Sequence, residues 1–124
     1  MLYNRNIVLQ IIRTHFSEQV EAKVMECVAD LEAYELEALF EDIVEYADLD
    51  LVDEMNVEDY TLDQDSQGCR VSGILSVDAL INGYIYFDKE NMLIGSAKTN
   101  FEFVFGFDEY QDTFTGFSIE SSLP

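Results

Sequence analysis

The sequence contains few basic residues, and this scarcity excludes more classes of function than any other feature of its composition. Its 124 residues include six Lys and Arg but 26 Asp and Glu, so the formal net charge at pH 7 is −20. A surface of this sign repels nucleic acid and anionic membranes, and it attracts basic proteins and cations. We therefore expect no direct nucleic-acid binding and no membrane association, and we expect a partner with a basic surface.

Long apolar runs, Pro and Gly are also scarce. The opening run Ile7–Ile12 is interrupted by Gln10 and is far shorter than the roughly 20 apolar residues of a membrane helix. With one Pro, six Gly and 48% apolar residues, the composition is not that of a disordered chain. The length is typical of one domain. We predict a single soluble domain over residues 1–124, with a cytoplasmic location.

The residue types that carry most protein chemistry are sparse as well. His15 is the only histidine, which excludes a site built from two histidines. The sequence contains no Gly-rich phosphate loop and no G-x-S-x-G nucleophile motif. Cys27 and Cys69 lack metal-ligand spacing, and we interpret them as free thiols of a reducing compartment, with a disulfide between them as the alternative. We predict no cofactor and no metal, and we expect the protein not to be an enzyme.

One segment partly matches a calcium-binding loop. Asp63, Asp65 and Gly68 have the spacing of the first half of an EF-hand loop, but Ile74 occupies the twelfth position, where a Glu is required. Strands are predicted on both sides of the segment. We therefore interpret residues 63–68 as a polar turn with Gly68 at a positive φ. A small calcium-regulated module is the alternative.

The apolar periodicity is helical in the first part of the chain. An apolar stripe follows Ser17, a predicted N-cap, and predicts a helix over residues 17–33. A second stripe from Leu36 to Ala47 predicts that helical structure continues to about residue 48, as one long helix or as two with a kink near Tyr34. The first sixteen residues are predicted to form a further short helix, with a strand as the alternative.

The later part of the chain alternates with period two, which is typical of strands. Asn82-Gly83 predicts a type I′ hairpin turn, the segment 88–91 predicts a second turn, and residues 113–120 predict a final strand. One apolar face is predicted to form the core side of the sheet; it contains Cys69, Val71, Leu75, Val77, Ala79, Phe101, Phe103, Phe105 and Phe107. The predicted fold is α+β, mainly helical over 1–50 and mainly strand over 57–121, with the N-terminal helices packed on one face of a C-terminal antiparallel β-sheet.

Acidic residues are concentrated in one part of the chain. From Val24 to Cys69 there are sixteen Asp or Glu and no Lys, Arg or His. On a helix that reaches residue 48, Glu37, Glu41, Glu45 and Asp48 would form one row, with neighbours about 6 Å apart along the axis. Like charges at this spacing destabilise a helix. A simply solvated acidic face is one interpretation, and a binding function is the other.

The predicted binding residues combine this row with its acidic neighbours and one aromatic anchor. They are Glu35, Glu37, Glu41, Asp42, Glu45, Tyr46, Asp48, Asp50, Asp53 and Glu54. The segment 48–54 is expected to be a solvated loop. Tyr46 is expected to be exposed and to act as a hot-spot anchor, because aromatic residues often dominate binding energy at interfaces.

Size and charge are similar to those of small acidic inhibitors of nucleic-acid enzymes, such as phage anti-defence proteins and nuclease immunity proteins. The similarity is one of composition and involves no shared motif. We predict a non-enzymatic inhibitor or decoy that mimics nucleic-acid charge and blocks the basic surface of a nucleic-acid-binding protein or nuclease. The alternative is a structural or adaptor domain of a larger or self-associating assembly. In such a homo-oligomer, the N-terminal segment with Arg5 and Arg13 would dock on a neighbour's acidic face, and sheet edges would pair.

Overall fold

The computed structural model describes residues 2–122, and within them helices precede a single antiparallel sheet. The elements are α1 (Arg5–His15), α2 (Ser17–Ala29), α3 (Ala33–Phe40), β1 (Tyr46–Asp65), β2 (Gly68–Phe87), β3 (Glu90–Tyr110) and β4 (Thr113–Ser121). The strands are ordered β1-β2-β3-β4, and every neighbouring pair is antiparallel. The predicted α+β fold is confirmed, as is the final strand.

The core lies between the helices and one face of the sheet. Because successive side chains of a strand point to opposite faces, the alternation in β2 and β3 directs one set of apolar residues toward the helices. The most buried members include Val8, Ile12, Val20 and Val24 from the helices and Val71, Leu75, Val77, Phe103, Phe105 and Phe107 from the strands. The predicted core face of the sheet is confirmed, and Phe101 packs at its margin.

The first two helices are separated by Phe16 alone. Asn4 caps α1 by accepting a hydrogen bond from the backbone N–H of Ile7 at 2.9 Å, and this confirms a helix rather than a strand at the N-terminus. The predicted N-cap role of Ser17 is wrong, because Phe16 occupies the cap position of α2. The Phe16 ring is buried and stacks on Phe117 with ring centroids 4.5 Å apart. Tertiary packing therefore sets this helix boundary.

The prediction that helical structure continues from Leu36 to Ala47 is right as far as Phe40 and wrong beyond it. Helix α3 ends at Phe40, Glu41 adopts the left-handed conformation with φ 55°, and β1 begins at Tyr46. The segment predicted to be a solvated loop, 48–54, lies inside β1. Its sequence alternates Asp and Leu with period two at residues 48–51, and pairing with β2 supplies the backbone hydrogen bonds that a helix would have supplied.

The type I′ turn predicted at Asn82-Gly83 is also wrong, because both residues lie within β2. Gly83 lets Phe40 pack closely against β2, because a Cβ there would lie 2.9 Å from the Phe40 ring. The hairpin between β2 and β3 instead turns at Asp88-Lys89, inside the second predicted turn, with φ values of 51° and 67°. Positive φ at both central residues is what a type I′ turn requires. Gly68 has φ 138°, as predicted.

Candidate partner-binding surface

The predicted binding residues occupy three consecutive parts of the chain rather than one helix. Glu35 and Glu37 lie on α3; Glu41, Asp42 and Glu45 lie in the connection 41–45; and Tyr46, Asp48, Asp50, Asp53 and Glu54 lie on β1. The single acidic row along a helix is therefore wrong, since the chain leaves the helix after Phe40. The residues remain neighbours in sequence, and all except the half-buried Glu35 are exposed.

Two of these carboxylates stabilise the local backbone. Glu35 completes a capping box with Glu32, and its Oε1 accepts a hydrogen bond from the Glu32 backbone N–H at 3.1 Å. Asp42 Oδ1 accepts from the backbone N–H of Ile43 at 2.7 Å. Both carboxylates therefore have structural roles that are independent of a partner, and they are weaker candidates for binding than their exposed neighbours.

The pairing of β1 with β2 determines on which face of the sheet each β1 side chain lies. Tyr46 lies opposite Tyr84, Asp48 opposite Asn82 and Glu54 opposite Asp78. These positions alternate with the residues that pack on the helices, so they belong to the uncovered face of the sheet, which we call the open face. The other two predicted β1 acids, at positions 50 and 53, lie where the register of β1 shifts.

An aromatic pair stands beside the first of these carboxylates. The rings of Tyr46 and Tyr84 stack with centroids 5.0 Å apart and an interplanar angle of 15°. Desolvation and the charge of Asp48 raise the pKa of the Tyr84 hydroxyl. A stacked pair of tyrosines next to a carboxylate can receive a Lys or Arg side chain through both cation–π and ionic attraction.

One predicted acid is already paired within the chain. Lys98 Nζ on β3 lies 2.7 Å from Asp53 Oδ2. The hydrogen bond to Asp53 and its charge raise the pKa of Lys98, and Asp78 and Glu54 act in the same direction. Lys98 therefore lies among three carboxylates on the open face. A basic partner would have to displace Lys98 to reach Asp53.

A cluster of exposed apolar side chains, not predicted from the sequence, lies at the turn between β2 and β3. Tyr86, Phe87, Met92 and Leu93 are 59%, 62%, 48% and 57% exposed. They flank Asp88-Lys89, where β2 and β3 extend beyond the start of β1 opposite Tyr84. The signal was available in the sequence, because placing the turn at 88–89 instead of 82–83 brings these residues to its two sides.

The calcium-like segment comprises the end of β1, the two-residue turn Ser66-Gln67 and the first residue of β2. Asp65 Oδ1 accepts a hydrogen bond from the Gln67 backbone N–H at 2.7 Å, and strands flank the segment as predicted. Among residues 2–122, no three or more His, Cys, Asp or Glu side chains are grouped so that they could hold a metal ion. The arrangement is that of a polar turn.

The remaining candidate groups have structural surroundings. His15 is exposed, and its ring centroid lies 4.8 Å from that of Phe114. Cys27 and Cys69 are free thiols, and burial raises the pKa of both. Arg13 Nη2 donates to the Met55 carbonyl at 3.5 Å, so this arginine is engaged within its own chain.

Comparisons with known proteins add no relative. No protein-family description, curated protein or solved structure matches the chain. Over residues 2–122, none of the helices has the length and apolar character needed to cross a membrane.

Proposed function

We propose that this protein is a non-enzymatic acidic binding protein that covers the basic surface of a nucleic-acid-binding protein or nuclease and thereby excludes nucleic acid. The observation that carries the proposal is the run of sixteen Asp or Glu between Val24 and Cys69, uninterrupted by any basic residue. Most of this run is exposed along α3, the connection 41–45 and β1. Such a field draws a basic partner into rapid encounters.

The spacing of the charges defines what kind of mimicry is proposed. Strand β1 carries eight acids in twenty residues. At a rise of about 3.3 Å per residue, this is one charge per about 8 Å. Duplex DNA has one charge per about 1.7 Å of its axis. Strand β1 therefore does not reproduce individual phosphates, and the proposal rests on the combined field of β1, α3 and the open face.

The Tyr46–Tyr84 pair is the proposed anchor within this field. Tyr46 is 38% exposed, so part of its ring is available to a partner while the rest is held by the stack. Rigid, partly buried tyrosines surrounded by polar groups are typical of binding hot spots. Asp48 and Glu45 beside the pair would contact Lys or Arg side chains of the partner.

The proposal is tested by capture and competition. The purified protein is immobilised, proteins from the source cell are bound at low salt, and bound proteins are eluted with duplex DNA. We expect a nucleic-acid-binding protein to be retained and to be released by the duplex, because both ligands require the same basic surface. Partners that duplex DNA does not displace would contradict the proposal.

A matched pair of variants separates a defined surface from bulk charge. Asp48→Lys with Glu54→Lys reverses two open-face acids of β1, and Glu18→Lys with Glu21→Lys makes the same change in net charge on α2. All four residues are exposed. We expect the β1 variant to lose the captured partner and the α2 variant to retain it. Equal losses would show that only the overall charge matters.

A further inference from the structure

The outer edge of β3 is unpaired along about half of its length. Strand β4 pairs with β3 from Phe103 to Tyr110, and the backbone N–H of Ser122 donates to the Glu102 carbonyl. From Glu90 to Phe101, none of residues 2–122 pairs with this side of β3; we call this segment the free edge. Unpaired backbone N–H and C=O groups on a strand edge are a template for a further strand.

The free edge also lacks the acids that cover the rest of the surface. Residues 91–101 contain no Asp or Glu and one basic residue, Lys98. The opposite edge of the sheet, β1, carries eight acids. Charged residues on an edge strand oppose pairing, so β1 is better protected than the free edge, whose Lys98 is already paired with Asp53.

We infer that the free edge pairs antiparallel with the free edge of a second copy of this chain, about a two-fold axis at Ser96. This inference does not depend on the proposed function. Pairing at β3 places the two β1 strands five strand spacings apart, about 24 Å. This is about three Debye lengths at physiological ionic strength. Compared with pairing at the β1 edge, pairing at the free edge therefore brings two copies of charge −20 together with less repulsion.

The register around Ser96 is compatible with the side-chain directions of β3. Ile94 is an extra residue in β3, because Gly95 lies opposite Gly83 and Leu93 lies opposite Tyr84. With Ile94 also left without a partner in the pairing between the two copies, Leu93 lies opposite Lys98 of the second copy, and Met92 lies opposite its Thr99. Leu93 and Lys98 lie on the open face, whereas Met92 and Thr99 lie on the face toward the helices. Each pair therefore shares one face, as antiparallel pairing requires.

An apolar contact accompanies the backbone pairing. A shallow groove beside the free edge, on the helix side, is lined by Leu31, Glu35, Ala38, Leu39 and Thr99. Met92 is 48% exposed in the single chain and lies on the same side. In the proposed dimer, Met92 of each copy lies opposite Thr99 and covers this groove in the other copy.

Sedimentation velocity over a concentration series tests the inference without any other protein. We expect a monomer–dimer equilibrium that strengthens as NaCl rises from about 0.1 M to about 1 M, because salt screens the repulsion between the copies. Partner binding through the acidic surface weakens over the same range, so the two proposals fail independently. A monomer at all salt and protein concentrations would overturn the inference.

A matched pair of variants tests the position of the contact. Ser96→Glu puts two like charges opposite each other at the axis, and we expect the dimer to weaken at least about fivefold. Ser118→Glu makes the same charge change on the open face of β4 and is expected to leave the dimer unchanged. Circular dichroism and thermal unfolding verify that both variants fold. If both variants fold and dimerise equally well, the assignment of the dimer contact to the free edge would be wrong.

Discussion

The β1 edge and the free edge of β3 differ in charge and regularity. The β1 edge carries eight acids in twenty residues, and its register with β2 shifts at three places. The free edge of β3 carries no acid between residues 91 and 101, and its register with β2 shifts once, next to Gly83. Charge and bulges are the usual devices by which edge strands avoid pairing. The β1 edge is therefore the better protected against pairing, and the free edge of β3 is the more open to a further strand.

The largest expected effect distinguishes the covered half of β3 from its free edge. Phe103 is fully buried under the helices, whereas Leu93 is 57% exposed. We expect Phe103→Ala to reduce the free energy of unfolding by about 3–5 kcal/mol, since it leaves a large cavity. Leu93→Ala is expected to change it by less than about 0.5 kcal/mol when measured on the monomer. Urea unfolding of dilute protein measures both, and comparable losses would contradict the assignment of an uncovered free edge.

A pair of glycines provides the next contrast. A Cβ at Gly73 would overlap the Asp59 carbonyl of β1, while a Cβ at Gly95 would meet no atom within 4 Å. We expect Gly73→Ala to destabilise by about 1–3 kcal/mol through overpacking. Gly95→Ala should stabilise the fold by about 0.5 kcal/mol, because alanine restricts the unfolded chain. Thermal unfolding of the two variants is sufficient, and a destabilising Gly95→Ala would show that this edge is not open.

Tyr3 allows a test of how stability depends on pH. It lies beside the C-terminal half of β1, where its backbone carbonyl accepts a hydrogen bond from the Tyr60 hydroxyl. Burial, followed by the charge of Glu109, raises the pKa of the Tyr3 hydroxyl to about 12. The folded state therefore retains this proton more strongly than the unfolded state, so its contribution is present below pH 10 and is lost as the pH rises to about 12. We expect a loss of about 1 kcal/mol, reduced by partial exposure of the ring.

The matched variant for this test is Tyr3→Phe. The Tyr3 hydroxyl has no hydrogen-bond partner among residues 2–122. Its removal should therefore not reduce stability at neutral pH, and it should flatten the decline in unfolding free energy above pH 10. An unchanged alkaline decline in Tyr3→Phe would show that another group is responsible.

The smallest expected effect concerns the ion pair that links the two edges across β2. Lys98→Met removes the contact with Asp53 on the exposed open face. Exposed pairs contribute about 0–1 kcal/mol, and we expect a loss within that range that shrinks at high salt. Urea unfolding at two salt concentrations measures it. A loss well above 1 kcal/mol would mean that the edges are coupled more strongly than their exposure allows.

The fold class was predictable because the strongest apolar patterns were consistent with it. The alternation through Val71, Leu75 and Val77 and the four phenylalanines from Phe101 to Phe107 correctly placed the core face of the sheet. The stripe after Ser17 correctly predicted a helix, although α2 ends at Ala29 and not at residue 33. Burial against neighbouring elements determines the secondary structure of these segments, and the apolar periodicity of the sequence reflects that burial.

The candidate site was less predictable, because tertiary contacts overrode two local sequence patterns. The stripe from Leu36 to Ala47 fits a helix, but the chain turns at Glu41 and pairs with β2 from Tyr46. Asn82-Gly83 has the composition of a turn, but Gly83 is needed for the approach of Phe40. Neither contact is visible in a single sequence. Both errors concerned the predicted surface. The first led to an acidic row along a helix, and the second left the exposed apolar side chains beside Asp88-Lys89 unrecognised.

The difference between the two edges is tested most directly by disulfide trapping at equivalent positions. Ser96→Cys on β3 and Asn56→Cys on β1 are each made in a Cys27→Ser background, where the remaining Cys69 is buried. Residues opposite each other in antiparallel strands have Cα atoms about 4.5–5.5 Å apart, within the range that a disulfide spans. We predict a covalent dimer for Ser96→Cys and a monomer for Asn56→Cys under mild oxidation. Trapping at Asn56, or equal trapping at both positions, would contradict the account.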